Sequence, residues 1–133
     1  MKTINAFPRY LAVFFALVCT LILAGCSSSP EEVVQKYYRA VVANRVDEAV
    51  SYYSLKEFPH QDLTHARQKL GGLVTQQNRL IQQNGGFDSI QTSIVKQDEN
   101  TALVKVVMKF KNGRSHEGQI RLVQDGGWKI SPR

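Results

Sequence analysis

The sequence predicts a single α+β domain, in which helices come first and an antiparallel sheet follows. Between Pro30 and Gln83, apolar residues recur every three or four positions, which is typical of helices with one buried face. After Gly86 the period changes to two, as in strands that bury one face. Helices packed on one side of a meander of about four strands give a two-layer sandwich. We therefore expect one α+β domain over residues 30–133.

The first helix carries its own start signal. Ser29 can cap the helix, Pro30 suits its first position, and Glu32 completes a capping box. An apolar face follows, made by Val33, Val34, Tyr37, Tyr38, Val41 and Val42. Because a tyrosine on such a face usually packs in the core with its hydroxyl at the edge, we expect this of Tyr37.

A second, shorter helix is predicted after Arg45. Asp47 is its candidate N-cap, and Phe58-Pro59 is its predicted end. Its expected inward face consists of Ala49, Val50 and Tyr53.

The third helix is predicted from about Leu63 to Gln83. Its expected inward residues are Leu63, Ala66, Leu70, Leu73, Val74, Leu80 and Ile81. The Gly71-Gly72 pair marks either a kink or a close approach to another element, since glycine lowers helix propensity. Asn84-Gly85-Gly86 is a typical helix stop.

Strands alternate apolar and polar residues from Ile90 onward, and glycine-containing turns separate them. Asn112-Gly113 is a strong hairpin signal, and Asp125-Gly126-Gly127 leads into a last strand at residues 128–130. The predicted inward residues are Ile90, Thr92 and Ile94, then Ala102, Val104, Val106, Met108 and Phe110, and then His116, Gly118, Ile120 and Leu122.

The first 25 residues have the pattern of an export signal. Lys2 and Arg9 give a positive start, and an apolar stretch follows at residues 11–23. This stretch is shorter than the roughly 20 apolar residues that span a bilayer. The string L-A-G-C at residues 23–26 resembles the lipobox of bacterial lipoproteins. We predict a signal peptide at 1–25, and a lipidated cysteine with a short tether at 26–29.

The lipobox resemblance assigns roles to four residues. Leu23, Ala24 and Gly25 would be recognised by the signal peptidase, and the thiol of Cys26 would receive a diacylglycerol. A membrane is therefore the first predicted partner, reached through the lipid on Cys26. Ser27 follows the cysteine in place of an aspartate. In enterobacteria-like sorting this implies the periplasmic leaflet of the outer membrane, and in a single-membrane bacterium the outer face of the plasma membrane.

The charge pattern leaves two interpretations open. Removing Lys2 and Arg9 from a formal charge of +6 leaves +4. Several cations are predicted on the outer face of the sheet, namely Lys105, Lys109, Arg121 and Lys129. This face either docks an envelope protein or a second copy of the chain, or simply keeps the sheet solvated. An exported protein rarely meets nucleic acid, so no nucleic-acid partner is expected.

Three motifs together resemble the nuclear transport factor 2-like (NTF2-like, or cystatin-like) superfamily. They are V-V-Q-K-Y-Y-R-A-V at 33–41, D-E-A at 47–49 and G-G-W-K-I at 126–130. More narrowly, residues 30–131 resemble small bacterial lipoproteins of unknown function that carry such a domain. The resemblance implies a cone-shaped fold whose curved sheet wraps the helices and leaves room for a pocket. Some members, such as ketosteroid isomerase and scytalone dehydratase, are enzymes, while many others only bind ligands, so the fold does not assign a function.

Four residues are candidates for the lining of such a pocket. An isomerase of this type needs a carboxylate base in an apolar pocket and donors that hold an oxyanion. Asp88 is the acid nearest the predicted pocket mouth, and Tyr37 and Tyr53 are possible donors. His116 lies on the predicted inward face. The alternatives are a turn role for Asp88 and an ordinary strand-edge position for His116.

No cofactor or metal is predicted. His60 and His65 are five residues apart, so on a helix their side chains would diverge. The sequence leaves three functions open: a non-catalytic binding or interaction domain in the cell envelope, a binder of a small apolar ligand, and an isomerase- or dehydratase-like enzyme. A filled core would favour the first, an apolar pocket without titratable groups the second, and a dry pocket with a buried carboxylate the third.

Overall fold

A computed structural model describes residues 27–133, and the predicted signal peptide and Cys26 lie outside the described residues. The helices are α1 (Pro30–Val42), α2 (Val46–Ser51) and α3 (Leu63–Gln83), with a 3₁₀ turn (His60–Asp62) before α3. The strands are β1 (Phe87–Gln97), β2 (Thr101–Phe110), β3 (Ser115–Gln124) and β4 (Trp128–Ile130). They form a four-stranded antiparallel sheet in the order β1-β2-β3-β4. The predicted α+β arrangement, with helices against a curved sheet, is confirmed.

Helix α1 begins as its sequence predicts. The Ser29 hydroxyl accepts a hydrogen bond from the Glu32 backbone N–H at 3.2 Å, and Pro30 occupies the first turn. The side chains of Val34, Tyr37 and Val41 are almost completely buried, which makes α1 the central helix of the core.

Helix α2 differs from its prediction at both ends. Asp47 is not its N-cap: Arg45 is, because the Arg45 carbonyl already accepts from the Ala49 N–H at 3.0 Å. Asp47 instead lies in the first turn, where a carboxylate favours the positive end of the helix dipole. The helix ends at Ser51, well before Pro59, because the following residues pair with β4.

That pairing fixes the position of Tyr53. The Ile130 N–H donates to the Tyr52 carbonyl, and the Ser54 N–H donates to the Ile130 carbonyl, both at 2.8 Å. The buried Ser54 hydroxyl also donates to Asp125 at 2.8 Å. The segment around Tyr53 is therefore held against β4 by main-chain and side-chain bonds.

Helix α3 runs without interruption through Gly71-Gly72, and the predicted close approach occurs at the first of the two glycines. A Cβ atom at Gly71 would lie 3.4 Å from Cγ1 of Val46, whereas one at Gly72 would meet nothing within 4 Å. At its C-terminus the Gly85 N–H bonds to the Gln82 carbonyl and the Gly86 N–H bonds to the Ile81 carbonyl, at 3.0 and 2.9 Å. These two bonds form a Schellman motif, which explains the positive φ angle of Gly85.

The predicted inward face of α3 is only partly correct. Ala66, Leu70, Val74 and Ile81 are buried, as expected. Leu73 and Leu80 are not, since they are 48% and 51% exposed. Both residues face a space between α3 and the sheet that no side chain of the described residues fills.

Two bulges interrupt the register of β1. Phe87 pairs with Phe110 and Ser89 with Lys109, which leaves Asp88 as an extra residue. Val95 is extra in the same way, between Ile94 and Lys96. Bulges bend a strand and increase its twist, and so they contribute to the curvature of the sheet. Ile94 of β1 was predicted to point inward, but its side chain is 36% exposed and so is not fully buried.

The turns are locally stabilised. Gly113 adopts φ 86° in the β2–β3 turn, and the Phe110 N–H donates to the Arg114 carbonyl at 2.9 Å. Between β1 and β2, the Asp98 carboxylate accepts from the N–H groups of Asn100 and Thr101, and these bonds lower the pKa of Asp98 below its usual value.

One hydrophobic core joins the helices to the inner face of the sheet. Its members extend from Val33 to Ile130 and include Ala102, Val104, Val106, Met108 and Leu122. Residues 27–133 thus contain a complete sheet, its covering helices and a shared core, which is what a domain needs in order to fold by itself. Among the described helices, none has the length and apolar character needed to cross a bilayer.

Candidate functional site

A cleft of about 560 Å³ opens between the C-terminal half of α3 and the inner face of β2 and β3. Helix α1 and the segment at Tyr53 form its floor, and Ser131 to Arg133 lie along one side. Its apolar lining consists of Leu73, Leu80, Ile81, Val106, Met108, Phe110, Ile120 and Ile130. A concave, mostly apolar site with a few polar groups is the usual form of a small-molecule site.

Three aromatic residues form the floor, and we call Tyr37, Tyr38 and Tyr53 the tyrosine cluster. The rings of Tyr37 and Tyr38 are 5.1 Å apart at an interplanar angle of 72°, and those of Tyr37 and Tyr53 are 5.4 Å apart at 89°. Edge-to-face contacts of this kind are favourable for aromatic rings. The three rings therefore have a defined arrangement, and a ligand can pack against them.

The hydroxyl groups of the floor form a hydrogen-bond chain with one direction. Tyr37 donates to the side-chain carbonyl of Gln77 at 2.6 Å. Its single proton is then used, so the 3.0 Å bond between Tyr37 and Tyr53 must be donated by Tyr53. The Tyr53 oxygen can still accept a hydrogen bond, and the Gln77 amide nitrogen can still donate one. At Tyr53 and Gln77 the floor thus offers an acceptor and a donor to a bound molecule.

The tyrosine cluster is neutral at physiological pH. Burial raises the pKa of Tyr37 far above its usual value, and the neighbouring Tyr53 raises it further. Burial raises the pKa of Tyr38 to about 12, with a smaller contribution from Tyr53, and burial also raises the pKa of Tyr53. These hydroxyls therefore act as hydrogen-bonding groups and not as tyrosinate bases.

Space in the sheet wall of the cleft comes from Gly118. This glycine is opposite Val106, on the face that also carries Ile120 and Leu122. A Cβ atom at this position would meet only His116, whose Nε2 would lie 3.9 Å away. Any larger side chain here would project into the cleft.

The mouth of the cleft has cationic residues on its sheet side. Arg114 and His116 occupy alternate positions on the face that carries Gly118, and both line the cleft. Arg133 also lies at the rim, where it pairs with Glu57 at 3.3 Å. Within residues 27–133, the lining contains no aspartate or glutamate.

Three of the four pocket residues predicted from the sequence line the cleft, and the fourth does not. Tyr37, Tyr53 and His116 all line the cleft. Asp88 does not, because it is the extra residue of a bulge and its exposed side chain has only a 3.5 Å contact with the Ser89 hydroxyl. Its predicted place at the mouth rested on its closeness to the first strand, and the bulge turns it away from the cleft.

Several polar residues of the cleft were not predicted, and two of them, Gln77 and Arg114, matter most for its chemistry. Gln77 lies on the buried stripe of α3 with Leu70, Val74 and Ile81, and a polar residue on an apolar stripe is a signal that sequence reasoning can use. Arg114 belongs to the predicted hairpin turn, and its place on the inward face follows from the parity of β3 only once the strand begins at Ser115.

The cationic outer face of the sheet is partly neutralised by the chain itself. Lys105 pairs with Glu117 at 3.0 Å across β2 and β3. Lys129 donates to the Ser51 carbonyl at 2.9 Å. As for metals, no three His, Cys, Asp or Glu side chains of the described residues come together as a binding site.

Comparison with known proteins gives one structural relative. No family model and no curated protein sequence matches the chain. A solved structure from Campylobacter jejuni, which carries the provisional name NTF2-like transpeptidase, superposes with a TM-score of 0.72. It is 19% identical, and the match covers 80% of this chain and 100% of that chain. At this identity the likeness establishes the NTF2-like fold alone.

Proposed function

We propose that this chain is a lipid-anchored binding protein of the cell envelope, and that its cleft takes up a small, largely apolar molecule. The observation that carries the proposal is the open space beside α3. Leu73 and Leu80 belong to the apolar pattern of that helix, yet each is about half exposed, at 48% and 51%. An apolar surface in a concave site of this size is what a small apolar ligand covers.

The chemistry of the tyrosine cluster and the position of Asp88 support a binder over the acid–base enzyme that the sequence left open. General acid–base catalysis is most efficient when a group has a pKa near the working pH. The pKa values of the tyrosine cluster are shifted away from neutrality. Asp88, the base that the enzyme hypothesis requires, lies outside the lining. The floor is therefore suited to orienting a ligand by hydrogen bonds.

The anchor rests on residues 23–26, and the start of α1 gives it a structural consequence. Only Ser27, Ser28 and Ser29 separate Cys26 from the first helical residue. At about 3.5 Å per extended residue, such a tether would hold the start of α1 within roughly 15 Å of the lipid surface. A domain anchored so close to a bilayer would have ready access to apolar molecules.

Ligand binding in the cleft is tested with a dye and with a substitution whose side chain fills the cleft. We expect residues 27–133 to bind N-phenyl-1-naphthylamine, a neutral apolar dye that fluoresces when it leaves water. Gly118→Leu should abolish this binding, because the new side chain enters the cleft with no contact shorter than 3.9 Å at its Cβ atom. Unfolding in urea checks that the variant stays folded, which we expect because glycine is a poor strand residue.

Gly72→Ala is the matched control for the dye titration. This glycine is exposed on α3, and an added Cβ meets nothing within 4 Å. It should bind the dye like the original chain. If Gly118→Leu is folded and still binds the dye with unchanged affinity, the cleft is not the binding site and the proposal fails.

The anchor is tested separately by intact-mass spectrometry of chain extracted from envelopes of the native host. We expect a mass that begins at Cys26 and includes acyl chains, and that is absent in Cys26→Ala. A chain without acyl groups, or one cleaved elsewhere, would contradict the lipid anchor without affecting the cleft.

A further inference from the structure

We infer that the ligand is an anionic amphipath, with its apolar body in the cleft and its negative group held at the mouth by Arg114. This inference rests on the proposed binding function and adds the chemical class of the ligand. It is carried by the position, rigidity and charge of the turn that presents Arg114.

The turn is fixed by hydrogen bonds to the residues that end α3. The Lys111 N–H donates to the Gly86 carbonyl at 2.9 Å, and the Asn112 N–H donates to the Asn84 carbonyl at 3.2 Å. The side chain of Asn112 adds a 3.0 Å bond to the side chain of Asn84. The β2–β3 turn is thereby joined to the C-terminus of α3. The two walls of the cleft meet at this junction.

The same turn sets the backbone of Arg114. Its N–H donates to the Asn112 side chain at 2.9 Å, and its carbonyl accepts from the Phe110 N–H at 2.9 Å. A pre-organised backbone reduces the entropy lost when a side chain binds a ligand. Arg114 is therefore presented from a fixed position, next to His116 on the inner face.

The guanidinium of Arg114 is available for a ligand. Among residues 27–133, no carboxylate lies within 4.0 Å of it, whereas Arg133 at the same rim is paired with Glu57. Glu117, three residues along β3, pairs with Lys105 on the outer face. A guanidinium without a protein partner favours a carboxylate, sulfonate or phosphate, which it binds in a bidentate fork.

The two ends of the cleft thus differ in chemistry. The floor is neutral and offers a hydrogen-bond acceptor at Tyr53 and a donor at Gln77. The walls are apolar, and the mouth is cationic. A molecule with an apolar body and one anionic end matches this order when its charged group points outward.

Two dyes that differ by one sulfonate test the inference on residues 27–133. N-phenyl-1-naphthylamine is neutral, and 8-anilino-1-naphthalenesulfonate is the same skeleton with a negative group. We expect Arg114→Gln to weaken binding of the sulfonate dye about tenfold, as for the loss of one charge-assisted hydrogen bond, and to leave the neutral dye unchanged. The control is Arg67→Gln, which removes an exposed arginine of α3 outside the cleft. It should change neither affinity.

The outcomes separate the two proposals. If neither dye binds the original chain, the binding function itself fails. If both dyes bind in a way that Gly118→Leu abolishes, but Arg114→Gln affects them equally or not at all, the function stands and the anionic class is overturned.

The anionic amphipath can come from solution or from the bilayer. Displacement of the sulfonate dye by laurate supports a diffusible molecule. Co-sedimentation with phosphatidylglycerol vesicles that Arg114→Gln reduces supports a membrane lipid. Failure of both laurate and vesicles overturns the inference.

Discussion

Tyr37 joins the packing of the core to the polarity of the cleft floor. It is 1% exposed, and its hydroxyl accepts from Tyr53 and donates to Gln77. A buried hydroxyl must satisfy its hydrogen bonds within the protein, because the cost of leaving a donor unpaired exceeds the gain from one bond. The residue is thus both structural and part of the site.

Tyr37→Phe should lower the free energy of unfolding by about 1–2 kcal/mol, because Tyr53 and Gln77 each lose a hydrogen-bond partner. Urea unfolding measures the change. Tyr52→Phe is the control: its hydroxyl has only a 3.4 Å bond to Glu48, so a change within about 0.5 kcal/mol is expected. Equal effects of the two substitutions would contradict the role given to the Tyr37 hydroxyl.

At the residue scale, sequence patterns predicted whether a side chain is buried better than they predicted which residues it contacts. Tyr37 was placed on the buried face of α1 by its spacing, and the structure buries it. Its bonds to Tyr53 and Gln77 join positions 16 and 40 residues away, and spacing carries no information about such contacts. Asp88 was expected at the pocket mouth because it lies near the start of the first strand, but it is the extra residue of a bulge, and no residue type signals a bulge reliably.

Helix α3 and the stop that follows it contain glycines with opposite roles. Gly72 has an ordinary helical backbone with open space around it, whereas Gly85 adopts φ 84° in the Schellman motif. The first glycine only weakens the helix. The second permits its termination, because a left-handed backbone is unfavourable for residues with a Cβ atom.

Gly72→Ala should therefore raise the free energy of unfolding by about 0.5–1 kcal/mol. Gly85→Ala should lower it by about 1 kcal/mol, since its backbone conformation is strained for alanine. Denaturant midpoints of the two variants give the comparison. A destabilised Gly72→Ala would mean that this position makes a packing contact that the structure does not contain.

The existence and order of the helices and strands could be predicted from the sequence, but the residues at which they end were harder to predict. The predicted end of the third helix matches the observed one, because Asn84-Gly85-Gly86 ends the helix through local backbone chemistry. The end of α2 was missed, because it depends on pairing between Tyr52–Ser54 and Ile130, nearly eighty residues further along the chain. Local signals predict local terminations only.

The cleft is a property of the whole molecule. Its walls belong to α3 and to the sheet, and their separation depends on how the sheet curves. The helical pattern placed Leu73 and Leu80 correctly on an apolar face, but it cannot say whether that face meets a side chain or a space. For this reason the sequence left the choice among a filled core, an apolar pocket and a catalytic pocket open.

The burial of the tyrosine cluster has a consequence for overall stability at alkaline pH. In the unfolded chain a tyrosine ionises near pH 10, whereas Tyr38 in the fold has a pKa of about 12 and that of Tyr37 is higher still. Above pH 10 the unfolded state therefore binds fewer protons than the folded state, and stability falls as pH rises.

We expect the urea concentration at the unfolding midpoint to fall progressively between about pH 10 and pH 12. Tyr38→Phe should make this alkaline fall smaller, because one ionisable group is removed from the unfolded state. An identical fall in the variant would show that Tyr38 does not contribute.

The location of a bound molecule tests the binding cleft most directly. We would titrate ¹⁵N-labelled residues 27–133 with N-phenyl-1-naphthylamine and follow the backbone amide resonances by NMR. The account predicts shifts that saturate and cluster at Tyr37, Tyr53, Gln77 and Gly118, with little change on the outer face at Lys105 and Glu117. Shifts confined to the outer face, or a titration with no saturable shifts, would contradict it.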